Sequence, residues 1–324
     1  MIGQYQIQHG LKEFPDIFEP GRGPIGPNPS PDILHYTNSK PGQKVKPGTE
    51  LRILGVGESI TVGFLSDRNG GDGNGYRLKL RDDLPEDDVV FVGTQKYNGT
   101  MDDGYFVSDT SPFRATECQK TIPTIPVLQA AWNGKTTKFI ADHIGPSLKQ
   151  RPNIVLLHAG TNDMNPNSAI STEGNDPQGA ANRLGDLIDQ MIKECPDAVI
   201  LAAMIINTCN LKQSDRTKHY QQLIPAVAAK RKDAGHHVVA VDFTTFQTSW
   251  LQDCIHPTND GYKTFGDYWY DFITQIPKDW IKKPMEMLQH TTTDQVTTKT
   301  LTGTASTQWT EARAPVLETS NKEV

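Results

Sequence analysis

Five short stretches of this chain are apolar at nearly every position instead of every second one. They are 51–56 (Leu-Arg-Ile-Leu-Gly-Val), 89–93 (Val-Val-Phe-Val-Gly), 153–158 (Asn-Ile-Val-Leu-Leu-His), 198–205 (Ala-Val-Ile-Leu-Ala-Ala-Met-Ile) and 238–243 (Val-Val-Ala-Val-Asp-Phe). Continuous runs of this length suit strands covered on both faces, whereas half-exposed strands alternate. Between them the period becomes helical. Leu184, Leu187, Ile188, Met191 and Ile192 share one helix face, and so do Tyr220, Leu223, Ile224 and Val227. Weaker helical patterns fall near 75–84, 136–149 and 261–275. Strand–helix alternation of this kind predicts an α/β domain, about 50–285, with a parallel sheet between helical layers. Ligands of such sheets bind beyond the carboxyl ends of the strands.

The flanks read differently. Residues 1–49 carry Pro15, Pro20, Pro24, Pro27, Pro29, Pro31, Pro41 and Pro47 with glycines between, which predicts an extended arm. Residues 286–324 are threonine-rich without apolar period, which predicts a disordered tail. The net charge of −6 is spread over mixed acids and bases, with no basic block to hold nucleic acid. No apolar run is long enough to span a bilayer. Met1-Ile2-Gly3-Gln4-Tyr5-Gln6 lacks the basic start and apolar stretch of a secretory leader. The expectation is therefore a cytoplasmic protein, or an extracellular one if a leader precedes the written start; a monomer is expected, although no sequence feature fixes the oligomeric state.

Cys118, Cys195, Cys209 and Cys254 include no Cys-x-x-Cys pair, and His236-His237 has no third ligand nearby, so neither metal nor cofactor is expected. Two disulfides in any of three pairings would suit an oxidising compartment, but free thiols fit the missing leader better.

The chemistry-bearing residues sit just after an expected strand or just before an expected helix. Ser59, in Gly57-Glu58-Ser59-Ile60-Thr61, follows the first strand. A serine there is often only a helix N-cap. As a nucleophile it needs a base, because an alcohol is weakly nucleophilic at neutral pH. His256 can be that base, with Asp253 three residues earlier to fix its tautomer. Acyl transfer also needs donors for the oxyanion. The Asn162 side chain, in Gly160-Thr161-Asn162-Asp163, and the Gly134 backbone N–H, in Trp132-Asn133-Gly134-Lys135, are the candidates. Asp163 and His158 read as structural. The run Asn69 to Gly75 fails the calcium-loop spacing and lacks the lysine of a phosphate loop, so it reads as a loop beside the serine. Thr61 stands where the nucleophile elbow of an α/β-hydrolase would need glycine.

Ser59, Gly134, Asn162 and the Asp253/His256 pair follow the block order of the SGNH (GDSL-type) hydrolases, which the chain resembles over about 50–280. Gly75-Tyr76-Arg77, Phe91-Val92-Gly93-Thr94-Gln95, Asn98-Gly99-Thr100-Met101 and His158 to Met164 bring it nearest to the carbohydrate esterase family 3 branch, which includes acetylxylan esterases. The resemblance implies a three-layer α/β/α sandwich with a five-stranded parallel sheet in flavodoxin-like order. It also implies a serine esterase cleaving short acyl, chiefly acetyl, esters on carbohydrate. Ser59, Asp253 and His256 would be catalytic; the Ser59 and Gly134 N–H groups and the Asn162 amide would hold the oxyanion. Three departures stand out. Glu58 replaces the usual aspartate, an insertion at 102–131 replaces a short Gly-His-Ser-Gly-Trp segment, and the leader common in that branch is missing. An acyltransferase using the same residues, or a non-catalytic carbohydrate-binding descendant, stays open as an alternative at this point.

Overall fold

The structure, a computed structural model, describes residues 32–96 and 128–286. The arm before 32, most of the 102–131 insertion and the tail from 287 lie outside the described residues.

The elements in chain order begin with β1 (Ile33–Leu34), β2 (Leu51–Gly57), α1 (Ser59–Val62), α2 (Arg77–Asp83), β3 (Val89–Val92), β4 (Gln95–Lys96) and β5 (Leu128–Ala131). They continue with α3 (Thr137–His143), α4 (Gly145–Leu148), β6 (Ile154–His158), α5 (Pro177–Glu194), β7 (Val199–Met204), α6 (Ser214–Asp233), β8 (Val238–Asp242) and α7 (Asn259–Gln275). The five strands expected from the sequence are β2, β3, β6, β7 and β8. They lie parallel in the order β3-β2-β6-β7-β8, the flavodoxin-like arrangement.

The sheet is larger than the expected five strands. β1 adds a parallel edge beside β8, pairing Ile33 with Ala240. β5 continues the edge of β2 that β3 begins, pairing Gly57 with Ala131, and β4 joins β5 antiparallel. Two-residue strands have no period to read, and Leu-Gln-Ala-Ala in β5 contains no β-branched residue. The segment assigned to the insertion thus ends in a sheet strand. Residues 136–149 form two helices instead of one, because Pro146 cannot donate to an uninterrupted helical ladder.

Alternate residues of the strands feed opposite cores. Leu51, Ile53, Leu156, Leu201 and Val241 pack with Leu80, Tyr262, Phe265 and Trp269 of α2 and α7. Leu54, Val56, Val155, Leu157 and Ala202 pack with Ile140, Leu184, Ile188 and Ile224 of α3, α5 and α6. This is the three-layer sandwich.

Part of the arm belongs to the domain. Buried Asp271 on α7 accepts the Thr37 N–H at 2.8 Å, the Thr37 hydroxyl at 2.7 Å and the Ser39 N–H at 2.8 Å. Val45 is fully buried, and its N–H donates to Asp87 at 2.8 Å. Those side-chain partners lie 42 and 234 residues away, which is why proline content alone suggested a loose segment. Among the described residues no helix is long and apolar enough to cross a membrane, and no three potential metal ligands cluster.

Candidate active site

Register brings three strand ends together. Gly57, at the carboxyl end of β2, pairs with Ala131 of β5 on one side and His158 of β6 on the other. Ser59, the 132–135 turn and Asn162 therefore leave neighbouring strands at the same rim. The Trp132 N–H donates to Gly57 O at 3.2 Å, and the Asn162 amide donates to Lys135 O at 3.0 Å, so the last two segments touch. Gly134 is exposed in that turn at φ +68°, a conformation that favours glycine.

His256 arrives from the turn before α7. Its Nε2 lies 2.9 Å from Ser59 Oγ, and its Nδ1 lies 2.7 Å from Asp253 Oδ2. Asp253 Oδ1 also accepts the Ile255 and His256 backbone N–H groups at 3.0 and 2.7 Å. Burial pulls the Asp253 carboxyl upward. The His256 backbone and ring hydrogen bonds, the imidazole charge and the Ile255 N–H together outweigh it, so the carboxyl sits below its ordinary range. An ionised Asp253 beside Nδ1 leaves Nε2, the ring nitrogen that faces Ser59, able to exchange a proton with it. Phe64 packs edge-on against the imidazole with ring centroids 4.9 Å apart.

Glu58 explains how a longer acid fits beside the serine. It is fully buried and accepts the Thr161 N–H at 2.6 Å and the Gly160 N–H at 3.4 Å. Gly160 itself sits at φ +121°, and a Cβ there would come within 2.3 Å of the Tyr220 ring. Asp163, fully buried, links α3 to α5. It accepts the Thr137 N–H and hydroxyl at 2.8 and 2.9 Å and pairs with Arg183 at 2.9 Å. His158 Nε2 accepts the Ile206 N–H at 3.2 Å, while Nδ1 has no partner among the described residues.

Two features lay beyond sequence reasoning. Buried Arg77 donates to Thr61 O at 2.7 Å, Val62 O at 3.1 Å and Gln129 Oε1 at 2.7 Å, tying the serine's helical turn to β5. Its signal was present in Gly75-Tyr76-Arg77, but without a role. Cys209 and Cys254 form a disulfide, which corrects the expectation of free thiols; Cys195 is free and buried, and Cys118 lies outside the described residues. No spacing rule could have picked that pair. The start of the loop from Asn69 to Gly75 is tied to α7 by the Asn259 amide, which donates to Arg68 O at 2.9 Å and to Asn69 O at 3.5 Å. With α2 and α7 it walls a polar cavity of about 490 Å³, whose lining includes none of Ser59, Asp253 or His256.

No curated protein sequence matches the chain. Among solved structures, it is similar to a family 3 carbohydrate esterase from Clostridium thermocellum, at 22% identity and TM-score 0.50, over 69% of this chain and 97% of that one. It is likewise similar to a carbohydrate esterase family 3 protein from Talaromyces cellulolyticus, at 19% identity and TM-score 0.50, over 71% and 99%. A sequence profile of the GDSL-like Lipase/Acylhydrolase family matches residues 94–264, a span that holds Gly134, Asn162, Asp253 and His256 but starts after Ser59. That match covers more than half of the chain, and with a shared SGNH-type fold the protein belongs to the GDSL-like lipase/acylhydrolase family and is a carboxylic ester hydrolase.

Proposed function

We propose that this esterase removes short acyl groups, acetyl foremost, from carbohydrate through an acyl-enzyme on Ser59. The observation that carries the reading is the unbroken chain Ser59 Oγ, His256, Asp253, with contacts of 2.9 and 2.7 Å. Ser59 attacks the ester carbonyl as Nε2 takes its proton. The imidazolium that forms is stabilised by Asp253 and then protonates the departing alkoxide. Water, deprotonated by the same nitrogen, attacks the acyl-enzyme and releases the acid.

In this reading the oxyanion is held by the Ser59 and Gly134 backbone N–H groups and by Asn162. One hydrogen of the Asn162 amide is used by Lys135 O, and an amide nitrogen has a second. A water-soluble alcohol suits the surface, since among the described residues only Leu211 and Met285 are large exposed apolar side chains. The carbohydrate carrier is drawn from the fold shared with the two esterases above.

Hydrolysis of nitrophenyl esters of increasing chain length and of acetylated xylan, by wild type and Ser59→Ala, tests this. Acetyl release that falls about 10⁴-fold or more in the variant is expected. Equal rates in both proteins would end the serine mechanism.

A further inference from the structure

The Asp253–His256 turn is well ordered within itself. Gln252 N–H donates to His256 O at 2.9 Å, the Gln252 amide donates to Pro257 O at 2.8 Å, and Leu251 bridges to Pro257. The turn also meets Phe64 through the His256 ring and Trp250 O through the Thr258 N–H. Cys254, which lies between Asp253 and His256 and adopts a left-handed backbone at φ +68°, ties it covalently to a further segment. The Cys254 side chain is bonded to Cys209, and its carbonyl accepts the Thr208 hydroxyl at 2.6 Å.

The segment carrying Thr208 and Cys209 is itself fixed to the strand ends. Ile206 N–H donates to His158 at 3.2 Å, the Asn207 amide to Thr244 O at 2.6 Å, and the Gln213 amide to Thr161 O at 2.7 Å. Thr161 in turn is held by Glu58, the neighbour of Ser59. A continuous path therefore runs from the serine loop, through the Asn162 loop and the disulfide, to the histidine.

We propose that the Cys209–Cys254 disulfide is a positioning element for ester hydrolysis: it holds the Asp253–His256 turn at proton-transfer distance from Ser59. Cys209 and Cys254 touch no substrate; they act through the imidazole. The proposal rests on the serine-esterase reading above. A misplacement of about 1 Å in a catalytic group can lower turnover about 100-fold, so the folded protein should lose rate when the bond opens.

The test uses the full chain, oxidised and after treatment with a water-soluble phosphine. The reductant opens the S–S bond to two thiols and leaves as the phosphine oxide, its oxygen drawn from water. Thiol counting by alkylation and mass confirms the state, and circular dichroism confirms the fold. With nitrophenyl acetate, kcat is expected to fall about 10- to 100-fold on reduction, with KM little changed and recovery on reoxidation. Cys209→Ser/Cys254→Ser should reproduce the drop and ignore reductant. In a His256→Ala background, opening the bond should cause no further loss, because both changes act on the same group.

Should the serine pair fail to fold, Cys209→Ala with Cys254→Gly relieves the left-handed backbone and repeats the measurement. Full kcat in the folded, reduced protein overturns the proposal, and so does a fall in thermal stability alone. Failure of the esterase reading looks different: Ser59→Ala would be as active as wild type in either redox state.

Discussion

The carboxyl of Glu58 accepts the backbone N–H of Thr161 at 2.6 Å, so the residue before the proposed nucleophile holds the residue before the proposed oxyanion donor. An aspartate, the usual residue of the family, would end one methylene short on this backbone. Glu58→Asp is expected to leave the buried Thr161 N–H poorly satisfied, at a cost of about 1–3 kcal/mol. Turnover should drop about tenfold or more as the two loops drift. Denaturant unfolding and initial rates on the same sample check this. Wild-type values for both would show that other contacts register the loops.

The same carboxyl shapes stability against pH. Burial foremost, then the charge of Asp163, pushes Glu58 from 4.5 up to about 8, against hydrogen bonds from Thr161 and Gly160 that lower it. Burial pushes His158 from 6.5 down to about 3. Where the folded Glu58 keeps a proton that the unfolded chain has lost, stability falls as pH rises, from about 4.5 to about 8. Where folded His158 refuses a proton that the unfolded chain binds, stability rises with pH, from about 3 to about 6.5. The two slopes oppose each other between 4.5 and 6.5, and above 6.5 only the decline from Glu58 remains. Melting temperatures across this range should show a plateau and then an alkaline fall. Glu58→Gln should remove the fall; its persistence would assign it to other groups.

Asn162→Ala should lower kcat about 100- to 1000-fold with little change in KM, the pattern of a donor used mainly in the transition state. Steady-state kinetics on nitrophenyl acetate separates the two parameters. A rise in KM with kcat intact would instead make Asn162 a substrate-binding group.

Arg183 pairs with fully buried Asp163 at 2.9 Å. Arg183→Ala should destabilise the fold by about 3–5 kcal/mol, because the carboxylate stays buried without its countercharge. Equilibrium unfolding measures it. A loss under about 1 kcal/mol would mean that the two Thr137 hydrogen bonds satisfy Asp163 on their own.

The sheet was legible because β2, β3, β6, β7 and β8 bury both faces, and that burial is written directly into composition. The edge strands were not, since β1 and β4 have two residues each and are specified by their partners. The meeting of Ser59, Asn162 and His256 at one rim was foreshadowed because few residue types carry such chemistry just after a strand or just before a helix. What holds those residues in place was hidden. The Glu58–Thr161 bond spans 103 residues, Arg77 reaches Gln129 across 52, and Cys209 meets Cys254 across 45. Long-range partners are settled by topology, which local pattern does not encode.

The docking of residues 37–46 onto α7 and Asp87 separates two meanings of a domain boundary. The family-profile match begins at 94, and strand periodicity begins near 51. A chain trimmed to either point would uncover Asp271 and take away three of its hydrogen-bond donors, at Thr37 and Ser39. The profile match and the hydrogen-bonded body are thus bounded at different residues, and a truncation placed at the edge of the match would cut through the contacts of residues 37–46.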